Sequence, residues 1–287
     1  MASPPVPGPV VLELWSSTFR TASLPELATA AGAAGFSHIT TTPFRFMHDG
    51  GFGADLRSRI EDAGVTVSVV DGLCSALPGT PPCARPTGDF RDAHEARLDD
   101  CVAIAHALGA PMVNLVHIGG VPTPVDALAE AFARACARAA DEGLRLGIEF
   151  VPGTGVPDLP TAAAVVRGAG ATNGSVVLDT WHLARGGGGL ADLDPDTARL
   201  VGGLQVSDRT PDQDLQPYVP MRGRKIPGAG ALPLAEIIAR VHATRPEVPV
   251  GVEVLSDEVD ALGPVEGSRR LATACRVLVA GEQSLSG

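Results

Sequence analysis

The chain has 287 residues, of which 45% are hydrophobic and 19% charged, and a mean hydropathy of +0.17. That is enough apolar material for a sizeable core, and it excludes a largely disordered chain. The 33 acidic residues outnumber 22 basic ones for a net charge of −11, which argues against nucleic acid and anionic membranes as partners.

Residues 1–9 are proline-rich, with neither a basic nor an apolar leader segment, and no uncharged apolar run approaches about 18 residues. The expectation is a flexible tail at the start of a cytoplasmic protein. A first strand is expected at Val10–Trp15. It is followed by a helix opening at Ser23-Leu24-Pro25-Glu26, where a serine N-cap, an early proline and a glutamate three residues on form a capping box. That helix closes at Gly35. Further strands are expected at His38–Thr42, Val65–Val70 and Met112–His117. The segment after Thr123 places Val125, Leu128, Phe132, Cys136 and Ala139 on one helical face and stops at Gly143. Strands at Arg145–Val151, Ser175–Thr180, Gly203–Ser207 and Val248–Val254 complete a set of eight.

Helix, glycine and strand recur at Gly35, Gly64, Gly109 and Gly143, which implies a repeated βα unit. Strands as apolar as Met112-Val113-Asn114-Leu115-Val116 read as parallel and covered on both faces. Eight such units predict an α/β fold closed as a (β/α)8 TIM barrel, one catalytic domain over residues 10–287. The alternative is a doubly wound sheet, but no GxGxxG follows the first strand. Loops rich in Gly and Pro at Gly72–Gly88, Gly119–Pro124, Gly186–Gly189 and Asp208–Gly230 all follow strands, on the barrel face where active sites are built. Five cysteines, Cys74, Cys83, Cys101, Cys136 and Cys275, form no CxxC pair and predict reduced thiols.

Four polar residues interrupt apolar strands: Glu149 in Gly147-Ile148-Glu149-Phe150, Asp179 in Val177-Leu178-Asp179-Thr180, Gln205 in Leu204-Gln205-Val206, and Glu253 in Val252-Glu253-Val254. An unpaired buried carboxylate is costly, and three in one barrel mouth repel one another. A divalent cation resolves both problems, and an all-oxygen donor set favours Mg²⁺ or Mn²⁺. The competing reading is ion pairing with Arg145, Arg185 or Arg209.

In this order the motifs resemble the xylose-isomerase-like barrel superfamily of sugar phosphate isomerases and epimerases, which includes hydroxypyruvate isomerase-like members. Glu149 matches that family's fifth-strand Glu, and Asp179-Thr180-Trp181-His182 its Asp-x-x-His. Leu204-Gln205-Val206-Ser207-Asp208 matches its seventh-strand ligand in the Gln version. Arg224-Lys225-Ile226-Pro227-Gly228-Ala229-Gly230 matches its Arg before Pro-Gly-x-Gly, and Glu253 its last-strand Glu. The likeness runs from about Val10 to the final helix. It implies a metal held by Glu149, Asp179, Gln205 and Glu253, and isomerisation or epimerisation of a polyol, keto-sugar or other hydroxy-carbonyl compound through a metal-stabilised enediolate. Glu149 and Glu253 would then carry the proton, and His182 and Arg224 would bind substrate oxygens. His117, at the mouth by strand count, is a further candidate for the pocket wall. A dehydratase working at the same site is the alternative. A DNA-repair endonuclease of the same superfamily is disfavoured by Gln205 in place of a His and by the charge of −11. A homo-oligomer is left open. Two departures stand out: the second strand, Ser37 to Pro43, carries no acid, and the insertion Asp208–Gly223 is long.

Overall fold

All eight expected strands form, and each lies parallel to the next. They are β1 (Leu12–Leu14), β2 (His38–Thr41), β3 (Thr66–Leu73), β4 (Met112–Val116), β5 (Arg145–Glu149), β6 (Gly174–Asp179), β7 (Val201–Val206) and β8 (Val250–Val252). Strand β8 pairs back onto β1 with Leu12 opposite Val250 and Leu14 opposite Val252, so the sheet is closed in chain order. This computed structural model describes residues 10–53, 55–73, 76–80, 96–119, 121–212, 217 and 222–285. Among them the protein is a single-domain (β/α)8 TIM barrel.

The helices are α1 (Leu24–Ala34), α2 (Pro43–His48), α3 (Leu56–Asp62), α4 (Leu98–Leu108), α5 (Val125–Ala140), α6 (Leu159–Ala169), α7 (Thr180–Arg185), α8 (Pro195–Ala198), α9 (Leu234–His242), α10 (Asp257–Asp260) and α11 (Gly263–Leu285). Helix α1 starts as expected: the Ser23 hydroxyl accepts from the Glu26 N–H at 3.4 Å, and the Glu26 carboxylate accepts from the Ser23 N–H at 2.9 Å. Gly35, Gly64, Gly109 and Gly143 all have φ between 72° and 86°, the left-handed region that ends a helix without a Cβ clash. On α5, Leu128, Phe132, Cys136 and Ala139 are buried. Val125 instead opens the helix and is exposed.

Strand alternation divides the core in two. Leu14, Ile39, Val113, Ile148, Leu178 and Val252 belong to the large cluster formed with the helices. Inside the barrel a small separate cluster contains Trp15, Val69, Met112 and Val177. Gly147 makes room for it, since a Cβ there would stand 2.4 Å from Met112 Cε and 2.7 Å from Val177 Cγ2. Strand β3 runs past the expected end at Val70, because Leu73 pairs with Leu115 after a register shift, and Asp71 thereby becomes a strand residue.

Cys101, Cys136 and Cys275 are free thiols in buried positions, whereas Cys74 and Cys83 lie outside the described residues. His94, most of the loop 72–88, Gly120 in the loop 119–124 and parts of 208–230 also lie outside them. Among the described residues no helix is long and apolar enough to cross a membrane.

Candidate functional site

The four strand-interrupting residues converge at the C-terminal mouth. Glu149 ends β5 and Asp179 ends β6. Gln205 stands in register with Asp179 on one side and Gly251 on the other, and Glu253 follows β8 directly. Asp179 is also the N-cap of α7, its Oδ1 accepting from the N–H groups of Trp181 at 2.7 Å and His182 at 3.1 Å. This cap explains the Asp-x-x-His spacing. It starts a helix whose first turn brings the His182 ring back over the strand end, with Nε2 3.4 Å from Glu149 Oε1 and 3.6 Å from Asp179 Oδ2.

Arg224 enters the same cluster. Its Nη1 lies 2.7 Å from Asp179 Oδ2 and 2.7 Å from Glu253 Oε2, and Nη2 lies 3.5 Å from His182 Nε2. The guanidinium is 1% exposed. The ion-pair partner of these carboxylates is thus Arg224, expected to bind a substrate oxygen, rather than Arg145, Arg185 or Arg209, and it stands between two of the expected metal ligands. Glu253 Oε1 accepts in turn from the Ser17 hydroxyl.

The loop carrying Arg224 is tied down by Asp208. The Asp208 carboxylate accepts from the N–H groups of Arg209 at 2.8 Å and of Gly228, Gly230 and Leu232, each at 3.0 Å. Backbone bonds between Asp208 and Lys225 in both directions, at 2.9 and 2.8 Å, close the loop base. The Pro-Gly-x-Gly motif is therefore a backbone cradle around one carboxylate.

Three further polar groups did not emerge from the sequence. Asn114 in β4 is fully buried. Its Nδ2 donates one hydrogen to Glu149 Oε2 at 2.7 Å and the other to Asp71 Oδ1 at 2.9 Å. Asn114 was visible as a polar residue inside Met112-Val113-Asn114-Leu115-Val116, and Asp71 as the first acid after Val69-Val70. Glu13 in β1 stands in register with Gly251, where a Cβ would lie 2.9 Å from Glu13 Oε2 and 2.5 Å from Trp15 Nε1. Acids thus enter from the first and third strands, flanking the second strand that has none.

His117 occupies a different place from the other candidates. Its Nε2 donates to the Pro78 carbonyl at 3.0 Å, and its Nδ1 accepts from the Gly155 N–H at 3.1 Å. Both ring nitrogens are committed to tying two loops together, so the ring pins the wall of the mouth.

Negative charge dominates the site. Burial first, and then the charges of Glu253 and Asp179, hold the Glu149 carboxyl well above the ordinary carboxylate range. Asp71 is raised likewise by burial and by the charges of Glu149 and Glu253. Burial pushes His182 down and favours its neutral ring. Gln205 is 1% exposed, and neither end of its amide has a hydrogen-bond partner. Glu149, Asp179 and His182 each offer a ligand atom within 4.8 Å of the others. An excess of buried carboxylates and an unpartnered amide oxygen fit a divalent cation. The His182 nitrogen makes the donor set mixed rather than all-oxygen, which also admits metals that accept imidazole.

A sequence model of the xylose isomerase-like TIM barrel matches residues 25–278. The chain is 29% identical over 261 residues to a putative hydroxypyruvate isomerase of Streptomyces coelicolor, covering 83% of this chain and 88% of that one. Two solved structures superpose with a TM-score of 0.78. One is the IOLI protein with a bound zinc atom, 16% identical, covering 95% of this chain and 99% of that one. The other is a xylose isomerase-like TIM barrel/4-hydroxyphenylpyruvate dioxygenase fusion protein, 20% identical, where 96% of this chain matches and spans 44% of the fusion.

Proposed function

The chain belongs to the xylose isomerase-like TIM barrel family, and from that premise we propose that it is a divalent-metal-dependent isomerase or epimerase of a small hydroxy-carbonyl compound. The observation that carries the reading is the gathering of three buried carboxylates, Asp179 and Glu253 on the Arg224 guanidinium and Glu149 beside the His182 ring that also meets Asp179, next to a buried Gln205 amide with no partner. Glu149, Asp179, Gln205 and Glu253 would hold the cation, with His182 in reach. When bound, such an ion supplies Lewis-acid polarisation of a carbonyl and its neighbouring hydroxyl.

The protein's own groups do the rest. Glu149 and Glu253 come from β5 and from the end of β8, on different sides of the mouth. One can take a proton from the carbon between carbonyl and hydroxyl while the other returns it. Asn114 holds Glu149 Oε2 and leaves Oε1 toward the mouth. Ser17 holds Glu253 Oε1. A neutral His182 can donate to a substrate oxygen. The near-complete burial of these groups excludes water, which protects a carbanion-like species. The likeness to a putative hydroxypyruvate isomerase supports a small hydroxy-carbonyl substrate, with hydroxypyruvate the first to try.

Metal analysis of the purified protein, with solvent-deuterium exchange into hydroxypyruvate and a set of ketoses, tests the reading. One divalent ion per chain and exchange that disappears in Glu149→Gln and Glu253→Gln are expected. Absence of metal, or exchange that persists in both variants, would overturn it. A conjugated, ultraviolet-absorbing product would assign a dehydratase instead.

A further inference from the structure

Asp179 and Glu253 each have one oxygen already committed. Asp179 Oδ1 caps α7 through two N–H groups, and Glu253 Oε1 accepts from Ser17. The remaining oxygens, Asp179 Oδ2 and Glu253 Oε2, both face a single nitrogen, Arg224 Nη1, at 2.7 Å. Arg224 therefore fills the space between the two oxygens that a cation would use. A guanidinium cannot shed its charge, and two cations side by side in a buried site repel strongly because little water screens them.

The loop geometry limits how this conflict can be relieved. Bonds from the Gly228, Gly230 and Leu232 N–H groups to the Asp208 carboxylate and the paired Asp208–Lys225 backbone bonds hold the chain directly after Arg224. The Arg224 N–H donates to the Leu255 carbonyl at 3.3 Å. With the backbone held, the guanidinium can leave only by rotation of its side chain. Meanwhile Gln205, in register with Asp179, keeps a dehydrated amide oxygen available.

We propose that Arg224 is an exchangeable resident cation: it occupies the Asp179–Glu253 pair until a divalent ion arrives, and metal binding and withdrawal of the guanidinium are one event. This rests on the metal-dependent reading above and adds to it a built-in competitor that sets how tightly the ion is held. The barrel can then keep its carboxylates neutralised without metal.

Mn²⁺ alone, without substrate, is titrated into the full-length protein and into Arg224→Gln, with free Mn²⁺ followed by electron paramagnetic resonance. A crystal structure of the Mn²⁺-soaked wild-type protein accompanies it. The expected result is about tenfold tighter or greater binding in Arg224→Gln, the equivalent of one charge-assisted hydrogen bond no longer broken. In the soaked structure Arg224 Nη1 should be out of hydrogen-bond reach of both Asp179 Oδ2 and Glu253 Oε2. Mn²⁺ bound only by the variant shows a guanidinium that does not yield to the ion, and overturns the exchange. Mn²⁺ bound with Arg224 still bridging both carboxylates, or affinity in the variant equal to or weaker than wild type, overturns the exchange and leaves the proposed function standing. No Mn²⁺ at these residues in either protein overturns the metal-dependent reading itself. If Arg224→Gln fails to fold, the soaked wild-type structure decides alone.

Discussion

Asn114 Nδ2 lies 2.7 Å from Glu149 Oε2, and this one buried amide fixes which carboxylate oxygen faces the barrel mouth. Its second hydrogen goes to Asp71 at 2.9 Å, so a single nitrogen spaces two acids that would otherwise repel. Replacing Asn114 with Ala removes both bonds. We expect a stability loss of about 1–3 kcal/mol, the cost of buried acceptors left unpaired. Proton exchange should fall by about tenfold or more as Glu149 loses its orientation. Urea unfolding and deuterium exchange into substrate measure the two effects separately.

Glu149→Gln and Glu253→Gln keep the size of each side chain and remove its basicity. General base or acid catalysis is worth roughly 10²–10⁴-fold, so each variant should lose at least about a hundredfold in substrate proton exchange. The far-ultraviolet circular dichroism spectrum should not change. Exchange within tenfold of wild type would remove that residue from the proton pathway.

Glu13 is buried inside the barrel beside Gly251 and Trp15, and burial raises it from 4.5 to about 7 against the weaker opposing effects of Ser68, Trp15 and Arg145. Below about pH 4.5 the group is protonated folded and unfolded alike, and no penalty arises. As pH rises toward 7 the unfolded chain ionises first, so this residue subtracts up to about 3 kcal/mol from stability, and the loss levels off above pH 7. Glu13→Gln should therefore match wild type at pH 4.5 and exceed it at pH 8. Denaturant titrations at those two pH values check the sign.

Asp208 accepts four backbone N–H groups from its own loop. Asp208→Ala leaves them without that acceptor in a partly buried place, at a cost of about 1–3 kcal/mol. Amide hydrogen exchange over residues 224–232 should quicken more than in the barrel strands. Asp208→Asn keeps one acceptor oxygen and should show a smaller effect.

Gly147 tests the packing beneath the site. A Cβ there meets Met112, Val177 and, at 3.2 Å, Asn114 Oδ1. Gly147→Ala should destabilise the fold by about 1–3 kcal/mol through overpacking and disturb Asn114. Thermal unfolding together with the deuterium exchange assay reads both.

Much of this protein was legible in the chain alone. Helix ends were marked by Gly35, Gly64, Gly109 and Gly143 because only glycine takes a left-handed conformation without strain. The strands were marked by apolar runs that make sense only when both faces are covered. Glu149, Asp179, Gln205 and Glu253 stood out because a polar residue in such a run demands a reason. Other features depend on distances between residues far apart in sequence, which no local pattern encodes. Arg224 bridges Asp179 and Glu253 across 45 and 29 positions, Asn114 links Asp71 to Glu149, and His117 is committed to Pro78 and Gly155. Propensity and periodicity follow from each residue's own backbone and neighbours, but the choice of partner for a buried charge is made by barrel closure, which decides whose side chains share the same dry space.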